Sequence, residues 1–245
     1  SNPQMAGRRL RDLLDNSPGE FVDAVTERLR VPGESPEQRY LVSLLVSRDL
    51  LIDVLRQIGR DDAAVAGHLA RLAQRLSPGF ERSLARAVLD AEHAREPNGE
   101  AEFLLGLLGA LSAGATVLPL LGPLRHSEDP RVRSRMASLL GRTAGAQRWF
   151  TTLKDDPDPR VRANAIEALW TTEGPFAAAC FESAVEDPHH RVVASAWVGT
   201  YLQGDAAAVA GLATMAQHAD PRFCAAAAWA MGETGDTRFI PLLWR

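Results

Sequence analysis

Apolar positions in the C-terminal half of the chain recur at helical spacing, and successive copies are in phase. Val132, Val161, Val192 and Phe223 stand 29, 31 and 31 residues apart. Four residues beyond them come Met136, Ala165, Ala196 and Ala227, and eight beyond come Leu140, Leu169, Thr200 and Met231. Positions i, i+4 and i+8 share one face of an α-helix, so each copy predicts a helix with a buried stripe, Thr200 being its one polar member. Asp129-Pro130, Asp158-Pro159, Asp187-Pro188 and Asp220-Pro221 open the four copies. The carboxylate can accept from the free N–H groups of the first turn, and proline at the first helical position gives up an N–H that has no partner there. A shorter apolar helix precedes each opening; Leu118-Pro119-Leu120-Leu121 and Ile240-Pro241-Leu242-Leu243 match one another. The unit of about 30 residues is therefore helix, turn, helix, turn, and such pairs must stack to bury a continuous core.

Residues 1–100 carry helical patterning without this signature. Helices are expected near Ala6–Asp15, Glu20–Arg30, Glu37–Ile58, Ala63–Leu76 and Phe80–His93, separated by Ser-Pro-Gly, Pro-Gly-Glu-Ser-Pro and Pro-Asn-Gly breaks. This half is either degenerate repeats or an N-terminal cap, and degenerate repeats continuous with residues 101–245 are the preferred reading. Phe103–Leu124 holds no charged residue, long enough to span a bilayer. Ser112-Ala113-Gly114, Pro119 and Pro123 break it, and the repeat register divides it into two short helices, so no membrane span is expected. Thr237–Arg245 reads as the first helix of another repeat. Phe239, Ile240, Leu242 and Leu243 would then want further cover, either from more of a longer chain or by self-association through this end.

The helix pair with Asp-Pro-Arg-Val-Arg-x-x-Ala-x-x-Ala-Leu in its second helix resembles the HEAT repeat, in the short bacterial HEAT-like form, over about residues 101–245. The Asp187 copy departs most, with His189-His190 inserted and Val193 where Arg133 and Arg162 stand. The resemblance implies an all-α fold, a right-handed α–α superhelix or α-solenoid of the armadillo type. It also implies a non-catalytic scaffold that grips a protein or peptide partner on its concave face. HEAT-like DNA glycosylases and bilin lyases show that the scaffold can carry chemistry, so an enzyme or a nucleic-acid-binding protein is the alternative.

Composition narrows these options. The formal net charge of -4 argues against a globally basic nucleic-acid binder. Lys154 is the one lysine among 27 basic residues, an imbalance that fits a GC-rich genome. Cys180 and Cys224 lie far apart without CxxC spacing, as buried thiols of a reducing, cytoplasmic compartment would. The histidines have no metal-ligand spacing, Gly106-Leu107-Leu108-Gly109 and Gly141-Arg142-Thr143-Ala144-Gly145 end helices rather than follow strands, and no serine has a base at recognisable spacing. No metal site, cofactor or catalytic set is expected.

Two candidate surfaces remain. The openings are rich in arginine: Arg131, Arg133 and Arg135, then Arg160 and Arg162, then Arg191 and Arg222. Asp129–Arg133 and Asp158–Arg162 have i,i+4 spacing, and HEAT repeats carry Asp–Arg ladders between units, so a structural role is preferred over an anion-binding groove. Arg133 and Arg162 nevertheless stay among the candidate binding residues. The second surface is aromatic. On a wheel of about 100° per residue, the ninth residue after the anchor lies opposite the core and is Gly141, Trp170, Tyr201 or Gly232. Trp197 and Trp229 fall on the flank or outer arc. Second helices line the concave side in such repeats, so Trp170, Trp197, Tyr201 and Trp229, with Glu167, are candidate partner-binding residues; the competing reading packs these rings against turns or the neighbouring unit.

Overall fold

The computed structural model describes residues 12–31, 33–94, 99–111, 117–140 and 147–243. Among them there is no strand. The expected breaks at Ser112-Ala113-Gly114 and Gly141–Gly145, the residues before Asp12 and the last two residues lie outside the described set. The chain divides into two compact units, residues 1–113 and 114–245.

The first unit contains a helical turn at 12–16, then α1 (Pro18–Leu29), α2 (Pro36–Ser47), α3 (Leu51–Asp61), α4 (Ala63–Leu76), α5 (Phe80–Ala94) and α6 (Glu100–Ala110). The single helix expected over Glu37–Ile58 is two, because the chain turns between Ser47 and Leu51 with Asp49 at φ 56°. Ser35 opens α2 with a capping box: its hydroxyl accepts from Gln38 N–H while the Gln38 side-chain oxygen accepts from Ser35 N–H. α1 packs on α3, α2 on α4, and α5 on α6. That last contact places α6 in this unit, so the division falls after α6 rather than near residue 100. Fully buried Phe21, Leu29, Leu45, Leu55, Ile58, Leu69, Leu84 and Leu104 form its interior.

The second unit contains α7 (Leu118–Leu121) running into a 3₁₀ turn (Gly122–His126), then α8 (Pro130–Leu140), α9 (Gln147–Leu153), α10 (Pro159–Glu167), α11 (Pro175–Ala184), α12 (His190–Leu202), α13 (Ala207–Met215) and α14 (Pro221–Thr234). A 3₁₀ turn (Thr237–Phe239) and α15 (Ile240–Leu243) follow. The second helices stack in one layer, α8 on α10, α10 on α12 and α12 on α14, and each first helix packs against its own second helix. This is the stacked helix-pair solenoid that the in-phase apolar stripe requires. Val132, Met136, Val161, Ala165, Leu169, Val192, Ala196, Ala227 and Met231 are all buried. Thr200, the polar member of the stripe, turns its hydroxyl onto the Ala196 carbonyl, 3.0 Å away, and so satisfies itself within the helix. Among the described residues, no helix is long and apolar enough to cross a membrane.

The repeats are tied by an arginine ladder whose register differs from the expected i,i+4 pairs. Arg133 does not pair with Asp129; it reaches forward to both oxygens of Asp156 (2.7 and 2.9 Å) and donates back to the Ser127 carbonyl (2.7 Å). Arg162 repeats this one unit on, with both oxygens of Asp187 (2.8 and 2.9 Å) and the Asp156 carbonyl (2.8 Å). The arginine stands one residue after the anchor of its own repeat, and its carboxylate five residues before the anchor of the next. At the third rung these positions hold Val193 and His218, so both partners are replaced together and no lone charge is left behind.

This register corrects the alignment of the third copy. Asp187 is a ladder residue, and the cap position three residues before the anchor holds Asp129, Asp158, His189 and Asp220. Each accepts the N–H of the arginine two residues on, at 2.8, 2.8, 3.3 and 2.9 Å, His189 doing so through Nδ1. Asp187-Pro188 looks like a helix opening, but the helix starts two residues later.

Candidate functional site

The solvent-facing wall of the second helices is set by their own periodicity. On α14, Arg222, Ala225, Ala226 and Trp229 share one face (i, i+3, i+4, i+7); on α10, Arg160, Asn164 and Glu167 share the equivalent face. Between α10 and α14 lies an open groove of about 510 Å³, lined by Glu167, His190, Arg191, Arg222, Ala225, Ala226 and Trp229. Ser195 and Val198, which hold these positions on α12, are buried.

Bonds between repeats hold the polar side of the groove in place. The Ser195 hydroxyl donates to Glu167 Oε1 (2.8 Å), and Arg191 donates to Asn164 Oδ1 (2.7 Å) and lies 3.5 Å from Glu167 Oε1. Asn164 in turn donates to Ser134 Oγ (2.7 Å) on α8. Arg191 can reach across because its own cap is imidazole. Arg131, Arg160 and Arg222 instead pair with their cap carboxylates Asp129, Asp158 and Asp220. Those guanidinium groups pull Asp158 and Asp220 down to about 2, and lower Asp129 too.

The apolar side is built from two indoles two repeats apart, Trp170 in the turn that follows α10 and Trp229 on α14. Trp170 donates its indole N–H to the Ser195 carbonyl (2.9 Å), and its ring lies 6.3 Å from that of Trp229 at an interplanar angle of 31°. Trp170 is half-buried against the core of the last repeats. Trp229 is 41% exposed, next to exposed Ala225. At the N-terminal edge of the groove, rings stack in series: His189 on His190 (4.2 Å), His190 edge-on to Phe223 (5.9 Å), and Phe223 on His218 (4.2 Å).

Of the seven candidate binding residues, the fold brings together Glu167, Trp170 and Trp229. The other four stand elsewhere. Arg133 and Arg162, with side chains 13% and 15% exposed, are held in the ladder. Trp197 lies in the opposite direction, over α13, where a Cβ on Gly211 would come within 2.5 Å of its ring; five residues after the anchor, it points toward the first helices. Tyr201 donates its hydroxyl to Asp236 (3.0 Å) and ties the end of α12 to the turn before α15. His190, Ala225 and Ala226 complete the groove together with Arg191 and Arg222 of the arginine-rich openings, which join the aromatic surface in one site. Their signal is the column immediately before the anchor (Arg131, Arg160, Arg191, Arg222), visible once His189 is aligned with the cap aspartates.

Among the described residues, no three His, Cys, Asp or Glu side chains converge as metal ligands would. Residues 117–199 match the family model for HEAT repeats. No curated protein matches the chain.

Proposed function

We propose that this HEAT-repeat protein is a non-catalytic scaffold that holds a protein or peptide partner on the inner face of α10, α12 and α14. HEAT repeats are in general protein-interaction scaffolds. The observation that carries the reading is Trp229: a large indole left 41% exposed on a face whose surrounding side chains are already fixed. Aromatic and arginine side chains in preformed, partly desolvated pockets dominate interface energetics, and side chains ordered beforehand lose little entropy on binding.

A photo-cross-linking residue at Ala225, with a control at exposed Glu182 on α11, tests it. Used in extract of the source cells, the Ala225 probe is expected to trap a discrete partner and the Glu182 probe is not. Trp229→Ala should abolish the adduct without altering the melting temperature by more than a few degrees. Equal trapping from Glu182, or an adduct indifferent to Trp229→Ala, would refute the groove as the binding surface.

A further inference from the structure

We infer that the segment held on this face is an extended acidic peptide, with carboxylates about three residues apart and an apolar side chain at the end that meets Trp229. This rests on the scaffold reading above. The positions one before, three after and six after the anchor of the four second helices hold five arginines (Arg131, Arg135, Arg160, Arg191, Arg222) and one glutamate, Glu167. One arginine per repeat forms an unbroken column, with side chains 51, 55, 41 and 75% exposed for Arg131, Arg160, Arg191 and Arg222. The cap carboxylates Asp129, Asp158 and Asp220 are each more covered than the arginine they hold, so guanidinium groups form the outer layer. The anion at these positions, Glu167, already accepts from Ser195 and faces Arg191.

Spacing follows from geometry. Packed helices lie about 8–10 Å apart, and an extended chain advances about 3.3 Å per residue, so three residues cross one repeat. A carboxylate at every third position can then meet successive arginines, each through the fork geometry that guanidinium and carboxylate share. The column six after the anchor runs Ser138, Glu167, Val198, Trp229, and α14 adds Ala225 and Ala226 on the same face as Arg222. The apolar residue therefore belongs at the α14 end, directly after the acid that meets Arg222. A nucleic acid would satisfy the arginines, but not this apolar end, and it would meet a chain of net charge -4.

Selection of a displayed random twelve-residue peptide library on the whole chain, with counter-selection on Trp229→Ala, tests the inference. The expected consensus carries two or more Asp or Glu residues three apart, followed by an aromatic or aliphatic residue. Its affinity should fall at least tenfold in Arg160→Glu combined with Arg222→Glu. Replacing the acids of the peptide by Asn and Gln should cause a similar loss on the unaltered protein, which separates charge recognition from any folding defect. A Trp229-dependent consensus that is neutral or basic would overturn the acidic assignment and leave the groove standing. Failure to enrich any Trp229-dependent peptide would overturn both. Displacement of the selected peptide by a twelve-residue oligothymidylate at physiological salt would reassign the column to nucleic acid.

Discussion

Arg160 and Arg162 stand two residues apart in one helix opening and meet different surroundings. Arg162 is mostly covered and makes a two-pronged bond to Asp187 in the next repeat; Arg160 is open to water beside its own cap. Truncating a covered, hydrogen-bonded ion costs more than truncating an exposed one, because the partner is left without compensation. Arg162→Ala is expected to lose about 2 kcal/mol or more in urea unfolding, and Arg160→Ala about 0.5 kcal/mol or less. In a double-mutant cycle with Asp187→Ala, the losses should be well short of additive; additive losses would mean that the ladder contributes nothing as a pair. The indoles and the phenol follow the same logic. Trp170→Phe and Tyr201→Phe each remove one bond between repeats, so each is expected to cost about 1 kcal/mol. Trp229 is the most exposed of these rings, so Trp229→Ala is expected to cost the least stability. Helical periodicity could say which residues face away from the core, but not which carbonyl or carboxylate of a neighbouring repeat lies within reach.

The helices pack closely through glycines that sequence periodicity does not flag. A Cβ on Gly199 would come within 2.5 Å of the Phe181 ring, and Gly211 stands in the same relation to Trp197. Alanine favours a helix over glycine by about 1 kcal/mol, yet the overlap should outweigh it, at about 1–3 kcal/mol. Gly199→Ala is expected to lower the melting temperature, and Phe181→Leu in the same chain to restore part of it; a rise on Gly199→Ala alone would contradict this packing. The helix openings make a pH-dependent prediction. His189 caps α12 as a neutral acceptor, and burial first, then neighbouring His190, lowers its pKa below the usual 6.5, with Arg162 and Arg222 adding to the effect and Asp187 opposing it. The folded state thus binds fewer protons there than the unfolded chain. Its contribution is present above about 6.5 and is lost as pH falls through the folded value. Between pH 7.5 and 5.5, unfolding free energy should drop less in His189→Asp than in the unaltered protein. An equal drop would remove His189 from the account. The cap aspartates act further down: Asp158 and Asp220, at about 2, hold their contribution above the ordinary carboxylate range and lose it as pH falls toward 2. The repeat itself was legible because Val132, Val161, Val192 and Phe223 recur with their i+4 partners. The cap of α12 was misplaced because Asp187-Pro188 imitates an opening, although counting three back from Val192 leads to His189.

At the scale of the molecule, one stack of second helices does two things with one recurring motif. The arginine after each of the first two anchors joins repeats, and the arginine before every anchor faces outward. The stacked-pair architecture of the repeats could be read from residue spacing, since small apolar side chains in phase leave few alternatives to stacked pairs. The groove could not, since Trp170 and Trp229 are 59 residues apart and meet only because α12 between them presents the Ser195 carbonyl and no bulky outward side chain. Hydroxyl-radical footprinting of the chain, alone and bound to the selected acidic peptide, measures the central claim most directly, because it reports side-chain access at each aromatic. Oxidation of Trp229 should fall sharply on binding, while Tyr40, exposed on the first unit, keeps its full reactivity. Protection of Tyr40, or of Ile240 and Leu243 on α15, with Trp229 still reactive would place the partner elsewhere and contradict the account.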